Sequence, residues 1–341
     1  MNLLILTGLL VGTAYGYVAQ RGAFCLNSGF RFVTTNRDFT KVKALGIALA
    51  VQMIVVPLVF TLGWAQPSFP AFFPVGAILG GLIFGVAMYW AAGCAAGVWF
   101  KSGAGSVGAV AAIVGMAIGA TVFEVGPLQG VRDAIHGLGG GAIAIEPARI
   151  LGVSLGVLTV PLGLVTILLL WRTRVTKAGA WTWRRTGLLL GLVGVAAWPL
   201  AALADRYFGM SVIPGTVDTV RFAGGEDVSF KGGFGGWDIL FVFGLPLGAF
   251  IAARREGSLK LSVPKAGSLA KMTVGGFGLG AGASIAAGCT VGHGLTGIPL
   301  LAPGSIVTLA AIFVGSTLTA IFEVRRRTAA EAAAAVTSGQ G

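Results

Sequence analysis

The sequence predicts an all-α integral membrane protein with about nine transmembrane helices plus short re-entrant helices, arranged as two inverted pseudo-symmetric halves. Three observations carry this prediction. Of 341 residues, 55% are hydrophobic and only 11% charged, whereas a soluble domain carries about 25% charged residues. Nine apolar runs succeed one another along the chain. Two stretches repeat one unusual pattern around a cysteine, in loops of opposite charge bias. Glycine is abundant at 56 residues but shows no Gly-X-Y period. That excludes collagen and suits helices whose backbones approach closely in lipid.

The apolar runs are 3–19, 44–63, 74–92, 107–123, 150–171, 187–204, 238–253, 272–287 and 304–322. A full span needs about 20 residues, so the shorter runs are expected to be tilted, broken or re-entrant. The first run has no basic residue before it and no cleavage site, so it is expected to be retained. Loops 31–43, 172–185 and 254–271, together with Arg325-Arg326-Arg327, hold most of the 24 Lys and Arg. This clustering is a positive-inside signature and places those segments in the cytoplasm. Loops 64–74, 124–149 and 205–238 are uncharged, balanced or acidic and are expected outside. The N-terminus lies outside if run 3–19 crosses and inside if it re-enters. One transmembrane domain is expected over 1–327, with halves at about 1–171 and 186–327. Residues 328–341 are expected to form a flexible cytoplasmic tail.

The net charge of +12 is explained by these flanking clusters and does not indicate a nucleic-acid partner. Three cysteines cannot all pair within one chain, and none forms a CxxC, so neither a disulfide framework nor a zinc site is expected. No GxxxxGK[ST] loop for nucleotide phosphates is present. No cofactor is expected.

The repeat sets Ala91-Ala92-Gly93-Cys94 beside Ala286-Ala287-Gly288-Cys289. Gly80-Gly81 precedes Cys94 at the distance that separates Gly275-Gly276 from Cys289. Each cysteine turn leads into a second apolar run that starts near a serine, Ser106 or Ser305, and ends in Phe-Glu. The charge pattern makes the first pair of runs dip from outside and the second from inside. Such inverted units place a substrate site near the midplane, at their interface. For Cys289 to lie there, run 272–287 needs a break, a tilt or a late entry, and its glycines 275–282 are where a break is expected.

The candidate site is therefore Cys94 and Cys289, with Cys25 as a third member. A thiol is polarisable and both donates and accepts weak hydrogen bonds. A small sulfur anion crossing an apolar barrier is suited to such partners, with helix N-termini or a cation at its charged end. Cys25 has polar company in Gln20, Arg21, Asn27 and Ser28. Arg21 is placed either to attract an anion or to snorkel to an interface. His293 is placed either to line a path or to hold a turn through backbone hydrogen bonds. Lys101 occupies the first cysteine turn much as His293 occupies the second. His136 receives no role, and Glu124 and Glu323 are expected at interfaces.

These motifs resemble a known family. Gly16-Tyr17-Val18-Ala19-Gln20-Arg21-Gly22-Ala23-Phe24-Cys25 is similar to the N-terminal signature of the YeeE/YedE sulfur-transport family. The stretch from Ala287 to Gly297 resembles its C-terminal signature, and Gly93-Cys94-Ala95-Ala96-Gly97 its middle one. The resemblance implies uptake of thiosulfate across the bacterial inner (plasma) membrane. It implies two pseudo-symmetric halves, non-crossing short helices and a narrow waist. It further implies a path where Cys25, Cys94 and Cys289 relay the anion through S–H···S contacts, and a small cytoplasmic TusA-like sulfurtransferase as partner. The expected function is thus transport, not enzymatic catalysis. One alternative is a membrane thiol relay or sulfurtransferase that forms a cysteine persulfide, which would need a cation beside a thiolate. The other is a channel or carrier for a soft metal ion.

Overall fold

The computed structural model describes residues 5–143, 145–228 and 234–338. The fold is all-α. A two-residue antiparallel pair, β1 (Lys177–Ala178) with β2 (Trp181–Thr182), and two isolated bridges are the only strand pairing among the described residues.

Four segments share one plan: a long helix, a break, a short helix and a second long helix. The first is α1 (Leu6–Arg21), α2 (Leu26–Asn36) and α3 (Thr40–Thr61). The second is α4 (Pro74–Trp90), α5 (Ala95–Gly103) and α6 (Val107–Glu124). After α7 (Gln129–Gly137), α8 (Pro147–Ile150) and α9 (Leu155–Trp171) comes the third: α10 (Trp183–Ala202), α11 (Ile213–Ala223) and α12 (Phe234–Arg255). The fourth is α13 (Ala266–Ile285), a π-helix (Thr290–Gly297), a 3-10 turn (Ile298–Leu300) and α14 (Pro303–Ser338). All nine apolar runs fall on long helices. By length and composition six described helices can cross a membrane, or seven if α13 and the π-helix form one span bent by 47°. The expected count of nine is not confirmed on this criterion, because α1 and α9 have only 16 and 17 residues. The stretch after Phe322 continues α14 as helix to Ser338.

The long helices pack in exchanged pairs. α1 lies on α12 and α10 on α3; α4 lies on α14 and α13 on α6, with α4 and α13 also in contact. Glycine makes the close approaches. A Cβ on Gly8, Gly12 or Gly16 would strike the carbonyl of Trp237, Phe241 or Leu245 on α12. This i, i+4 stripe needs an absent side chain where backbone meets backbone. Glycines 275–282 likewise do not break α13. Gly276 and Gly280 press on α6, while Gly275 and Gly282 press on α4. The break comes after them, at Ala286–Cys289, where the helix has run out.

The loops segregate into two groups. At one end, Arg21 pairs with Glu256 at 3.1 Å, Ala180 N–H donates to the Arg21 carbonyl, and Val107 N–H donates to the Ser262 carbonyl. At the other, Ile143 N–H donates to the Phe72 carbonyl, and the His136 ring stacks on Phe73 at 3.8 Å. Basic loops 172–185 and 254–271 therefore meet at the end of α1, and loops 64–74 and 124–149 touch one another. Long loop 205–238 is partly helical, as α11. Two charges in it are not solvated: Arg206 and Asp238 are fully buried and joined by two hydrogen bonds of 2.7 Å. Arg206 also donates to the carbonyls of Phe208 and Gly209 and lies 4.7 Å from the Trp237 ring centre. This cluster fastens the α10–α11 break to α12.

Candidate functional site

The three cysteines occupy equivalent local positions. Each caps the N-terminus of a short helix: Cys25 for α2, Cys94 for α5 and Cys289 for the π-helix. Each follows, by two residues, an alanine held in the left-handed region: Ala23 (φ 45°), Ala92 (φ 54°) and Ala287 (φ 59°). For a residue with a Cβ this conformation costs roughly 1–2 kcal/mol. Three repetitions of a disfavoured geometry mark a constrained site. The turn ends the preceding helix and swings the chain so that the cysteine sits where the next helix begins. The first N–H groups of a helix have no intrahelical acceptor, so three partly positive helix ends accompany three thiols.

All three cysteines are free and buried, with exposures of 4%, 3% and 0% for Cys25, Cys94 and Cys289. Cys25 and Cys94 lie side by side. A methyl group on Gly97 would stand 2.8 Å from the Cys25 sulfur and 3.2 Å from the Cys94 sulfur. Thr290, beside Cys289 in sequence, turns its hydroxyl toward the Cys94 sulfur. That hydroxyl is fully buried and, apart from this weak sulfur acceptor, has no hydrogen-bond partner. A buried donor left unpaired costs about 1–3 kcal/mol. Tyr15 of α1, 2% exposed, lies within electrostatic reach of all three thiols. The three breaks thus converge on one buried region, contacted from α1.

The other sequence-chosen residues take different places. His293 is 1% exposed and uses both ring nitrogens. Nε2 donates to the Ala286 carbonyl at 3.0 Å, so Nδ1 accepts from the Ser305 hydroxyl at 3.0 Å. It holds the Cys289 break together and fixes Gly288, where a Cβ would stand 2.8 Å from Nε2. Arg21 ends α1, pairs with Glu256 and lies over the Trp181 ring at 5.4 Å. The carbonyl of Gln20 accepts from Ala23 N–H at 3.1 Å, within the first break. The Lys101 ammonium donates to the Ala92 carbonyl, inside the Cys94 turn, and its charge reaches Cys25. Glu124 pairs with Arg132, and Glu323 with Lys271 at 3.4 Å.

Sequence reasoning missed several residues. Lys41 reaches across from α3 to donate to the Ser28 hydroxyl, which donates to the Cys25 carbonyl at 3.0 Å. Its charge acts on both Cys25 and Lys101, so two cations approach one thiol. His136 donates from Nε2 to the Ile285 carbonyl at 2.8 Å. Both histidines of the chain therefore serve the same break. The αL alanines could have been found by aligning all three cysteines, because an Ala two residues before is common to them. Lys41, Tyr15 and His136 carried no such signal. At the end away from the basic loops, a cavity of about 430 Å³ leads to the Cys289 turn. Glu124, Ser211, Asp218, Arg221, Ala287 and Gly288 line it. Ion pairs join Arg221 to Asp218 at 3.4 Å and to Glu226 at 2.7 Å. Among the described residues no group of three His, Cys, Asp or Glu side chains is placed to hold a metal.

Long apolar helices interrupted around a buried cluster of thiols and helix ends define a multi-pass membrane protein of the transporter class. The chain belongs to the sulphur-transport family, whose model, described as Sulphur transport, matches residues 21–318. It is 30% identical over 314 residues to the thiosulfate transporter TsuA of Escherichia coli (strain K12), covering 86% of this chain and 87% of that one. It is 31% identical over 327 residues to the thiosulfate transporter TsuA of Spirochaeta thermophila, covering 91% and 96%. A shorter likeness, 30% identity over 124 residues, covers 34% of this chain and 28% of the probable transporter YedE of E. coli (strain K12). The family and these relatives are described by transport.

Proposed function

We propose that the chain takes up thiosulfate across the inner membrane through a narrow path on which Cys289, Cys94 and Cys25 pass the anion by non-covalent S–H contacts. The observation that carries this is the threefold recurrence of one local geometry. Three thiols stand at three helix N-termini behind three strained turns, and they meet in one buried region. Weak, serial sites of this kind let an anion bind and still leave. The cavity beside Ala287 and Gly288 supplies the entry from outside. Lys101 and Lys41 receive the negative charge beside Cys25. His293 and Gln20 support the path by fixing the turns, and Arg21 closes the first turn against Glu256. The exchanged packing of α1 with α12 and α10 with α3 supports reading 1–171 and 186–327 as inverted halves of one domain. By the positive-inside rule the basic loops and the end of α14 face the cytoplasm. There a TusA-like sulfurtransferase would collect the product.

The test is labelled thiosulfate uptake in cells lacking their own system, with wild type and Cys25→Ala, Cys94→Ala and Cys289→Ala at matched membrane levels. Wild type transports and each variant loses most uptake. Full uptake by all three variants would make the cysteines packing residues and end this mechanism. A persulfide-forming cysteine needs a cation beside it, and Lys41 and Lys101 near Cys25 support a second reading. The Cys25 thiolate attacks the outer sulfur of thiosulfate, the S–S bond breaks, sulfite leaves, and a persulfide remains. Intact-protein mass spectrometry after thiosulfate exposure separates the readings, since only the second retains an added sulfur atom.

A further inference from the structure

We propose that the Thr290 hydroxyl is an oxygen-recognising group of the path, donating to an oxygen of the anion while the thiols hold its terminal sulfur. The inference rests on the transport reading above and deepens it. Thr290 is the first residue of the π-helix, next to Cys289 in the chain and beside the Cys94 sulfur in space. It therefore stands where the anion would pass from one thiol to the next. Its side chain is fully buried, and apart from the Cys94 sulfur, a weak acceptor, its hydroxyl has no protein partner. Thr159 and Thr296, also buried, donate to the Met53 and Met210 carbonyls at 2.7 and 2.8 Å. Thr121 and Thr308, unpaired like Thr290, lie on the long helices α6 and α14, so what sets Thr290 apart is its place between Cys289 and Cys94. A buried hydroxyl with no oxygen or nitrogen acceptor calls for an explanation, and a passing anion supplies a strong acceptor in place of the weak one.

Thiosulfate presents two kinds of atom, one soft sulfur and three hard oxygens. Thiols alone match only the first. A hydroxyl set among them makes the site selective for an anion that carries both. Hydrosulfide, with no oxygen, and sulfate, with no terminal sulfur, each leave part of such a site unmatched. An unmatched buried polar group is a strong source of rejection.

Uptake kinetics of Thr290→Val and Thr290→Ser, at membrane levels matched to wild type, provide the test. Valine keeps the shape and removes the donor; serine keeps the donor. The expected result is a thiosulfate KM raised about tenfold in Thr290→Val, the worth of one hydrogen bond to a charged group. Maximal rate changes less, and Thr290→Ser keeps the wild-type KM. A wild-type KM in Thr290→Val overturns the inference while leaving the transport reading intact. Absence of thiosulfate uptake by wild type defeats both. A competition series on wild type alone is readable even if the valine variant fails to reach the membrane. Hydrosulfide and sulfate should each compete more weakly than unlabelled thiosulfate. Hydrosulfide competing as well as thiosulfate would overturn oxygen recognition.

Discussion

At the scale of single residues, the site depends on what is absent at position 97. Gly97 follows Cys94 by three residues on α5, and the missing methyl leaves room for two sulfurs. Alanine favours a helix interior over glycine by about 1 kcal/mol. Overpacking costs about 1–3 kcal/mol. The first offsets only part of the second, so Gly97→Ala should lose at most about 2 kcal/mol and still reach the membrane. Yet the methyl forces the Cys25 and Cys94 thiols apart, so thiosulfate uptake should fall several-fold. Normal uptake would show that the two sulfurs need not be adjacent. The cysteines were legible because they are rare and lie in a repeated pattern. His293 was legible only as a pair of alternatives, and its two ring partners select the turn-holding one. Lys41 was not legible, because a lysine in a basic loop looks like any interfacial lysine until α3 brings it to Ser28.

At the scale of elements, apolar length predicted the long helices well, and glycine content misplaced a break. Run 238–253 lies within α12 (Phe234–Arg255), and run 107–123 matches α6 (Val107–Glu124) closely. The short helices were hidden because eight to eleven residues, mixed in polarity, carry too little periodicity to distinguish helix from loop. Glycines 275–282 looked like a hinge but are a contact face, because lipid-embedded helices gain by close approach. This has a direct consequence. Gly276→Leu puts a side chain into the Ala112 backbone of α6. It should lower stability by about 1–3 kcal/mol or more, seen as a reduced melting temperature in detergent and a reduced membrane level. Gly267, at the start of the same helix, has nothing within 4 Å of a built Cβ, and Gly267→Ala should be silent. Equal behaviour of the two variants would contradict the packing role. The Arg206–Asp238 pair was hidden for a different reason. Its members lie 32 residues apart, and sequence offers no way to tell a paired buried charge from a solvated one.

At the scale of the whole molecule, loop charge and loop contact agree although they are independent. Charge sorted the loops from sequence alone; contacts sort them by which touch. Both put 172–185 and 254–271 at one end and 64–74 and 124–149 at the other. The exchanged helix pairs could not be read from sequence, because a hydropathy pattern does not say which helix a face meets. A lipid boundary follows from the sorting, since a chain whose long apolar helices join two segregated sets of loops presents one set to each aqueous side. Single cysteines placed at Gly140 and at Ser258, in a variant with the native three replaced, provide the test. Added to right-side-out spheroplasts, a membrane-impermeant maleimide should label the Gly140 site, in loop 124–149, and leave the Ser258 site, in the basic loop, untouched until the membrane is opened. The positive-inside rule gives the sign of that result, and the contacts give its all-or-none character. Labelling of Ser258 from outside, with Gly140 protected, would keep the fold and reverse the molecule. Uptake would then begin at the lysine pair beside Cys25, and the cavity at the Cys289 turn would become the exit.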